Sequence, residues 1–357
     1  MSSSTERLLR QRRSPVDLVS TSARGSAIWF AGPEQVELRE EVLPDPGPKD
    51  IRVSAICSGV SQGTELLVYR GQVDPLTSLD LPTLAGSFAF PIKYGYASVG
   101  RVDQAGSAVE GLARGDLVFV HQPHQSSYVV PADAAIRLPP GLSPEEGVFL
   151  ANVETAVNVV LDAHPRLGDR AVVFGAGVVG LLIIQLLRRA GAASVIAVDP
   201  IDKRRQLAAA VGASLVLAPG AHLKGEILRR TDGKGADLAI EVSGNPSALT
   251  GAIDSVGFQG TVVACSWYGT RPVGVDLGGH FHRGRVRIVS SQVSSLDPAL
   301  MPRWTMARRT SLALDLLGGL QTAPLVTHRF VQKDAPRAYR LMAERPEETV
   351  QVLFTYV

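Results

Sequence analysis

The segment AVVFGAGVVGLLIIQLL, Ala171 to Leu187, limits the fold more than any other feature of the chain. It is the most apolar stretch, yet Gly175, Gly177 and Gly180 interrupt it, and it is short for a membrane span. An apolar run, then glycines, then a second apolar run reads as a buried strand turning into a buried helix. In Gly175-Ala176-Gly177-Val178-Val179-Gly180 the first glycine permits the tight turn, and the second lets a diphosphate approach the backbone. The third lets helix and strand pack closely, while the helix N-terminus offers free N–H groups to phosphates. GxGxxG alone is weak and also fits packing in a nucleotide-free α/β domain. Here a strand precedes it, a helix follows, and Asp199 ends the next strand, SVIAVD, about 20 residues on. That combination predicts a dinucleotide site. The Asp199 carboxylate favours NAD, since it would repel the 2′-phosphate of NADP. Lys203, Arg204 and Arg205 lie just beyond it and keep NADP possible.

Around this turn the chain changes texture. Residues 25–155 contain short β-rich runs punctuated by Gly and Pro (SAIWF, IRVSAICSGV, ASVGRV, DLVFV, SSYVVP), which predict a small β-barrel. Residues 156–294 alternate strands with helices, the pattern of βαβ units and a doubly wound parallel sheet. Residues 295–357 return to helix plus strand, and residues 1–24 read as a flexible leader. The leader holds five arginines against Glu6 and Asp17, while the 357 residues together carry a net charge of only +2. On charge alone that supports neither a nucleic-acid nor a membrane-surface role. Cys57 and Cys265 are the only cysteines; they make no disulfide framework and fit a reducing, cytoplasmic setting.

These features resemble the medium-chain dehydrogenase/reductase superfamily over nearly everything from Gly25 to Val357. The match is carried by VELREEVLPDPGPKDIRVSAICSGVS, by the glycine turn with Asp199, Arg204 and Gly212-Ala213, and by APLVTHRFVQKDAPRAYRLM. The resemblance implies a GroES-like catalytic barrel, completed by the C-terminus, beside a Rossmann domain, with substrate between them. SQGTEL, FPIKYGY, PHQ and NVETA further resemble a sugar- or polyol-type branch of dehydrogenases, and there is a resemblance also to the dehydrogenase of bacteriochlorophyll biosynthesis. The zinc ligands of the superfamily are missing. The loop Ser58–Glu65 has no cysteine, Gly95-Tyr96-Ala97 stands where zinc members have Gly-His-Glu, and Ala151–Thr155 offers only Glu154. A catalytic zinc needs three protein ligands, so the chain is expected to work without a metal.

Without zinc, hydrogen-bond donors must stabilise charge on the reacting oxygen, and a side chain must exchange its proton. By position in the superfamily the candidates are Tyr96, His121, His124 and Glu154, with Ser61, Phe119, Gln122, Ser291 and Gln292 lining the pocket. Gly175, Gly177, Val178, Val179, Gly180, Asp199, Arg204, Thr155 and Ser243 are assigned to the cofactor. The leading expectation is alcohol–carbonyl interconversion on a sugar-, cyclitol- or natural-product-like molecule. A zinc-free enoyl or quinone reductase and a silent nucleotide-binding protein are the alternatives. The resemblance places the strand RVRIVSS, about Arg285 to Ser291, at a free edge of the Rossmann sheet, which predicts a homodimer.

Overall fold

The computed structural model describes residues 23–79, 83 and 86–356. Most of the expected leader lies outside that range; its last residue, Arg24, opens the first strand. The chain begins with β1 (Arg24–Gly32), β2 (Gln35–Val42), β3 (Asp50–Gly59), α1 (Gln62–Tyr69), β4 (Ile92–Lys93), β5 (Ser98–Ala105) and β6 (Leu117–Val120). Next come β7 (Ser127–Pro131), β8 (Ala135–Arg137), α2 (Pro144–Gly147) and α3 (Leu150–Ala163). An alternating stretch follows: β9 (Arg170–Phe174), α4 (Val178–Arg189), β10 (Ser194–Val198), α5 (Asp202–Ala210), β11 (Leu215–Leu217) and α6 (Leu223–Arg230). It continues through β12 (Ala236–Glu241), α7 (Pro246–Ser255), β13 (Val256–Ala264), the short α8 (His282–Gly284) and β14 (Arg287–Ser290). The end is α9 (Met306–Leu317), β15 (Val326–Val331), α10 (Ala335–Glu344) and β16 (Gln351–Thr355).

Six strands form one sheet in the order β11-β10-β9-β12-β13-β14, every neighbouring pair parallel. Parallel strands joined by helices are covered on both faces, and the continuous apolar run of β9 follows from that. Ala171 and Val173 pack into a core shared with α3 and α4; Val172 and Phe174 pack into another shared with α6 and α7. The chain reverses direction across the sheet between β9 and β12, which opens a crevice at their C-terminal ends. The glycine turn after β9 stands at that crevice.

The remaining strands form two sheets. One runs β15-β16-β3-β5-β6-β8 with β7 also on β3; β15 and β16 are parallel and the other pairs antiparallel. The other is β2-β1-β4. No pairing joins the outer strands β15 and β8 among the described residues, so neither sheet closes into the expected barrel. Closure requires hydrogen bonding around the whole perimeter, and β4, β6 and β8 are only two, four and three residues long.

α3 runs unbroken through residue 155, where the two units were expected to meet, and packs on α4, α9 and β13. Among the described residues no helix is long and apolar enough to cross a membrane.

Candidate active site

The glycine turn has the geometry a dinucleotide needs. Gly175 sits at φ +102°, and a Cβ there would come within 2.6 Å of Ser243 Cα. A Cβ on Gly180 would meet the Gly175 carbonyl oxygen at 1.9 Å, so strand and helix approach too closely for any side chain. Gly177 faces open space and caps α4 without a side-chain bond, which leaves the first N–H groups of the helix available to a diphosphate. Asp199 is 3% exposed; its Oδ2 accepts the Ala176 N–H at 2.8 Å and its Oδ1 the Ile201 N–H at 2.9 Å. One carboxylate thus ties the turn to the end of β10 and keeps further lone pairs for ribose hydroxyls. Val178 and Val179 are half-buried on the first turn of α4. Ser243 donates to Glu241 Oε1 at 2.5 Å, and Thr155 donates back to the Ala151 carbonyl at 3.0 Å. Arg204, assigned to the cofactor, instead donates through Nη2 to the carbonyls of Pro346 and Thr349. It fastens α5 to the approach to β16.

The segment expected as a loop over Ser58–Glu65 ends β3 and opens helix α1. Ser61 caps that helix, and the Tyr96 hydroxyl donates to Ser61 Oγ, with Thr64 Oγ1 3.4 Å away. Burial raises the phenol of Tyr96, and its bonds to Ser61 and Thr64 partly offset the rise. Because Tyr96 supplies a proton to Ser61 Oγ, the Ser61 hydroxyl is free to donate its own.

Structure brings His121 and Glu154 together. His121 Nδ1 lies 3.2 Å from the Tyr96 carbonyl oxygen, and Nε2 lies 3.4 Å from Glu154 Oε2. A carbonyl only accepts, so Nδ1 carries a proton, and a proton taken up at Nε2 would face the carboxylate and be shared with it. Glu154 Oε1 accepts from Thr310 Oγ1 and lies 3.7 Å from Arg309 Nη2. Burial pushes the Glu154 carboxyl upward, but the bonds from His121 and Thr310 and the charges of His121 and Arg309 outweigh it. The carboxyl is held below the usual range.

Other candidates stand behind this layer. His124 is fully buried, and so is Glu65. His124 Nε2 faces Glu65 Oε2 at 2.9 Å and Nδ1 faces Ser58 Oγ at 2.7 Å. Glu65 also accepts the Ser61 N–H at 2.7 Å and the Tyr339 hydroxyl at 2.5 Å. The Tyr356 hydroxyl lies 2.7 Å from Ser58 Oγ, so Tyr356, Ser58 and His124 form one hydrogen-bonded chain that ends on the Glu65 carboxylate. Gly95, at φ +123°, makes room for this: a Cβ there would come within 2.8 Å of the His124 ring. His124 therefore supports the site from beneath rather than lining it. Phe119 is likewise fully buried and stands edge-on to His121, with ring centroids 4.9 Å apart.

Gln122 is buried and donates to Gln125 at 2.7 Å. Ser291 donates to Asp162 at 2.6 Å, while exposed Gln292 caps Ser294. Burial raises the Cys57 and Cys265 thiols to about 12, which makes them small hydrophobes, not nucleophiles. Glu65, Tyr339, Thr310 and Arg309 were not among the sequence candidates. A signal for Glu65 was available in its place directly before the apolar run Leu66-Leu67-Val68.

The profile of the zinc-binding dehydrogenase family matches residues 178–307, from the first turn of α4 to the start of α9. The D-guloside 3-dehydrogenase of Escherichia coli strain K12 is 32% identical over 265 residues, covering 72% of this chain and 76% of the relative. The chain belongs to the medium-chain dehydrogenase/reductase superfamily. Within it, the L-threonine 3-dehydrogenase of Pyrococcus abyssi is 27% identical over 350 residues, 89% of this chain and 94% of that protein. The crystal structure of 2R,3R-butanediol dehydrogenase from Bacillus subtilis superposes with a TM-score of 0.77 at 23% identity, covering 93% of this chain and 99% of the other.

The superfamily cofactor, NAD(H) or NADP(H), fits the turn at Gly175–Gly180, and the chain is an NAD(P)-dependent oxidoreductase acting on an alcohol or carbonyl group. When bound, the nicotinamide supplies or accepts the hydride. No group of three or more His, Cys, Asp or Glu side chains is arranged to hold a metal among the described residues.

Proposed function

We propose that this protein is a zinc-independent dehydrogenase that interconverts an alcohol with a ketone or aldehyde on a sugar-, cyclitol- or natural-product-like molecule, with NAD as the preferred cofactor. The observation that carries the reading is His121, held between the Tyr96 carbonyl and the Glu154 carboxylate, two residues that by resemblance stand at or beside the lost zinc-ligand positions. An imidazole exchanges protons near neutral pH. In the oxidising direction the pair takes the hydroxyl proton as hydride leaves the carbon. In the reducing direction it returns that proton to the nascent alkoxide, which the Ser61 hydroxyl, polarised by Tyr96, stabilises. Reduction of a C=C bond needs a proton at carbon instead, a need to which nothing in the His121–Glu154 geometry is specific. The 32% identical D-guloside dehydrogenase supports a sugar-like substrate.

The test is a panel of glycosides and polyols with NAD⁺, followed by NADH formation, with and without a chelator. Chelator-insensitive oxidation of a sugar or polyol is expected. Turnover lost on chelation, with one zinc per chain by elemental analysis, would overturn the metal-free reading.

Asp199→Ala is expected to weaken NADH binding by about 10–100-fold, the loss of charged hydrogen bonds, while NADPH loses less. Calorimetric titration of both cofactors checks this. A wild-type protein that binds NADPH tenfold more tightly than NADH would refute the preference.

Supporting the homodimer, β14 is the outer strand of the parallel sheet, and Ile288 on it is exposed. Pairing of two such edges about a two-fold axis would cover both. Light scattering at micromolar concentration is expected to give twice the 37.9 kDa chain mass; monomer alone would rule it out.

A further inference from the structure

Arg309 is 4% exposed and is the only buried lysine or arginine among the described residues. Taking a guanidinium out of water is costly unless it is paired, so its partners reveal what it is for. Nη1 donates to Asn158 Oδ1 at 2.9 Å and to the Val293 carbonyl, and Nη2 lies 3.7 Å from Glu154 Oε1. Asn158 in turn donates to Asp162 Oδ2 at 3.0 Å, which also receives the Ser291 hydroxyl. Glu154, Asn158 and Asp162 are spaced by four along α3 and form one polar stripe on a helix whose other residues, Asn152 and Thr155 apart, are apolar. α9 lays Arg309 along that stripe.

The charged groups around the pair are few. α3 contributes Glu154 and, two turns on, Asp162, whose carboxyl burial raises and which has His164 and Asp297 beyond it. α9 contributes Arg309, the segment after β6 contributes His121, and the segment before β5 contributes only the un-ionised phenol of Tyr96. We propose that Arg309 is the positioning residue of the His121–Glu154 pair: it holds the carboxylate charged against the imidazole and sets the pH at which the pair releases its proton. The physical reason is Coulombic. A fixed cation beside a proton-holding pair lowers the pair's affinity for that proton, and removing it raises that affinity. A guanidinium that braced α9 against the Val293 segment without its charge being felt at the pair would leave that affinity unchanged.

This inference rests on reading His121 as the proton-handling group, and its test does not require turnover. The full-length protein is labelled with ¹³C at histidine Cε1, and the His121 signal, identified by its loss in His121→Asn, is followed through a pH titration. In Arg309→Met the His121 midpoint is expected to rise by about one pH unit, and Arg309→Lys is expected to return most of the way. If Arg309→Met does not fold, Arg309→Gln is titrated in its place, with the same rise expected. A neutral variant that folds, binds NADH and leaves the midpoint unmoved overturns the inference, whatever the turnover assay says of His121. A moved midpoint with wild-type turnover in His121→Asn would instead keep the positioning role and refute the catalytic reading.

Discussion

Glu65→Ala is expected to destabilise the protein by about 3–5 kcal/mol, the range for removing one partner of a buried charged network. The substitution strands three donors at once: the His124 Nε2–H, the Tyr339 hydroxyl and the Ser61 N–H. His124 and Tyr339 are fully buried, so water cannot replace the lost acceptor without opening the core. Denaturant unfolding of Glu65→Ala beside Glu65→Gln measures the effect. Glutamine keeps a carbonyl acceptor and is expected to recover a large part of the loss. A change below about 1 kcal/mol in Glu65→Ala, the size of an ordinary surface substitution, would show that the network adds nothing to the fold.

The second large effect is on chemistry. His121→Asn and Glu154→Gln are each expected to slow hydride transfer by ~10²–10⁴-fold, the usual contribution of a positioned proton donor or acceptor. NADH affinity should stay nearly constant, because neither side chain belongs to the glycine turn. Single-turnover kinetics on whichever sugar or polyol the panel identifies separates this loss from slow cofactor release. His124→Ala should behave differently and lose stability before it loses rate. Wild-type rates across pH in both His121→Asn and Glu154→Gln would leave catalysis to cofactor positioning and hydroxyl donors.

The nucleotide half was legible in the sequence because its signals are local. The strand before Gly175 must be apolar on both faces, the turn must be glycine, and Asp199 must end the next strand; each is fixed by neighbours a few residues away. The six parallel strands follow the alternation read along residues 156–294. The other half was less legible. Its strands are two to ten residues long, and whether they close depends on pairings between segments far apart, such as β3 with β16.

The site divides in the same way. Tyr96, His121 and Glu154 could be nominated by position in the superfamily, but nothing in the histidine loop told His121 from His124. Only two residues lie between them, and burial alone decides between them: one ring is 25% exposed beside Glu154, the other wholly enclosed against Glu65. The spacing of Glu154, Asn158 and Asp162 was visible as a polar stripe and went unread. Arg309, inside an Arg-Arg pair, carried no signal until α9 was placed against α3.

α3 has a mechanical consequence. It is a straight rod of 14 residues, about 21 Å at 1.5 Å per residue, and it rests on α4, the helix that begins at the glycine turn. Glu154 therefore sits on the helix that packs against the helix of the glycine turn, whereas His121 arrives on the end of β6, from the other sheet. If the two halves part to admit substrate, the gap of 3.4 Å between imidazole and carboxylate is the one that widens. The proton pair would then be intact only while the halves are together, so proton transfer would be confined to the closed molecule even though the glycine turn could hold its cofactor in either.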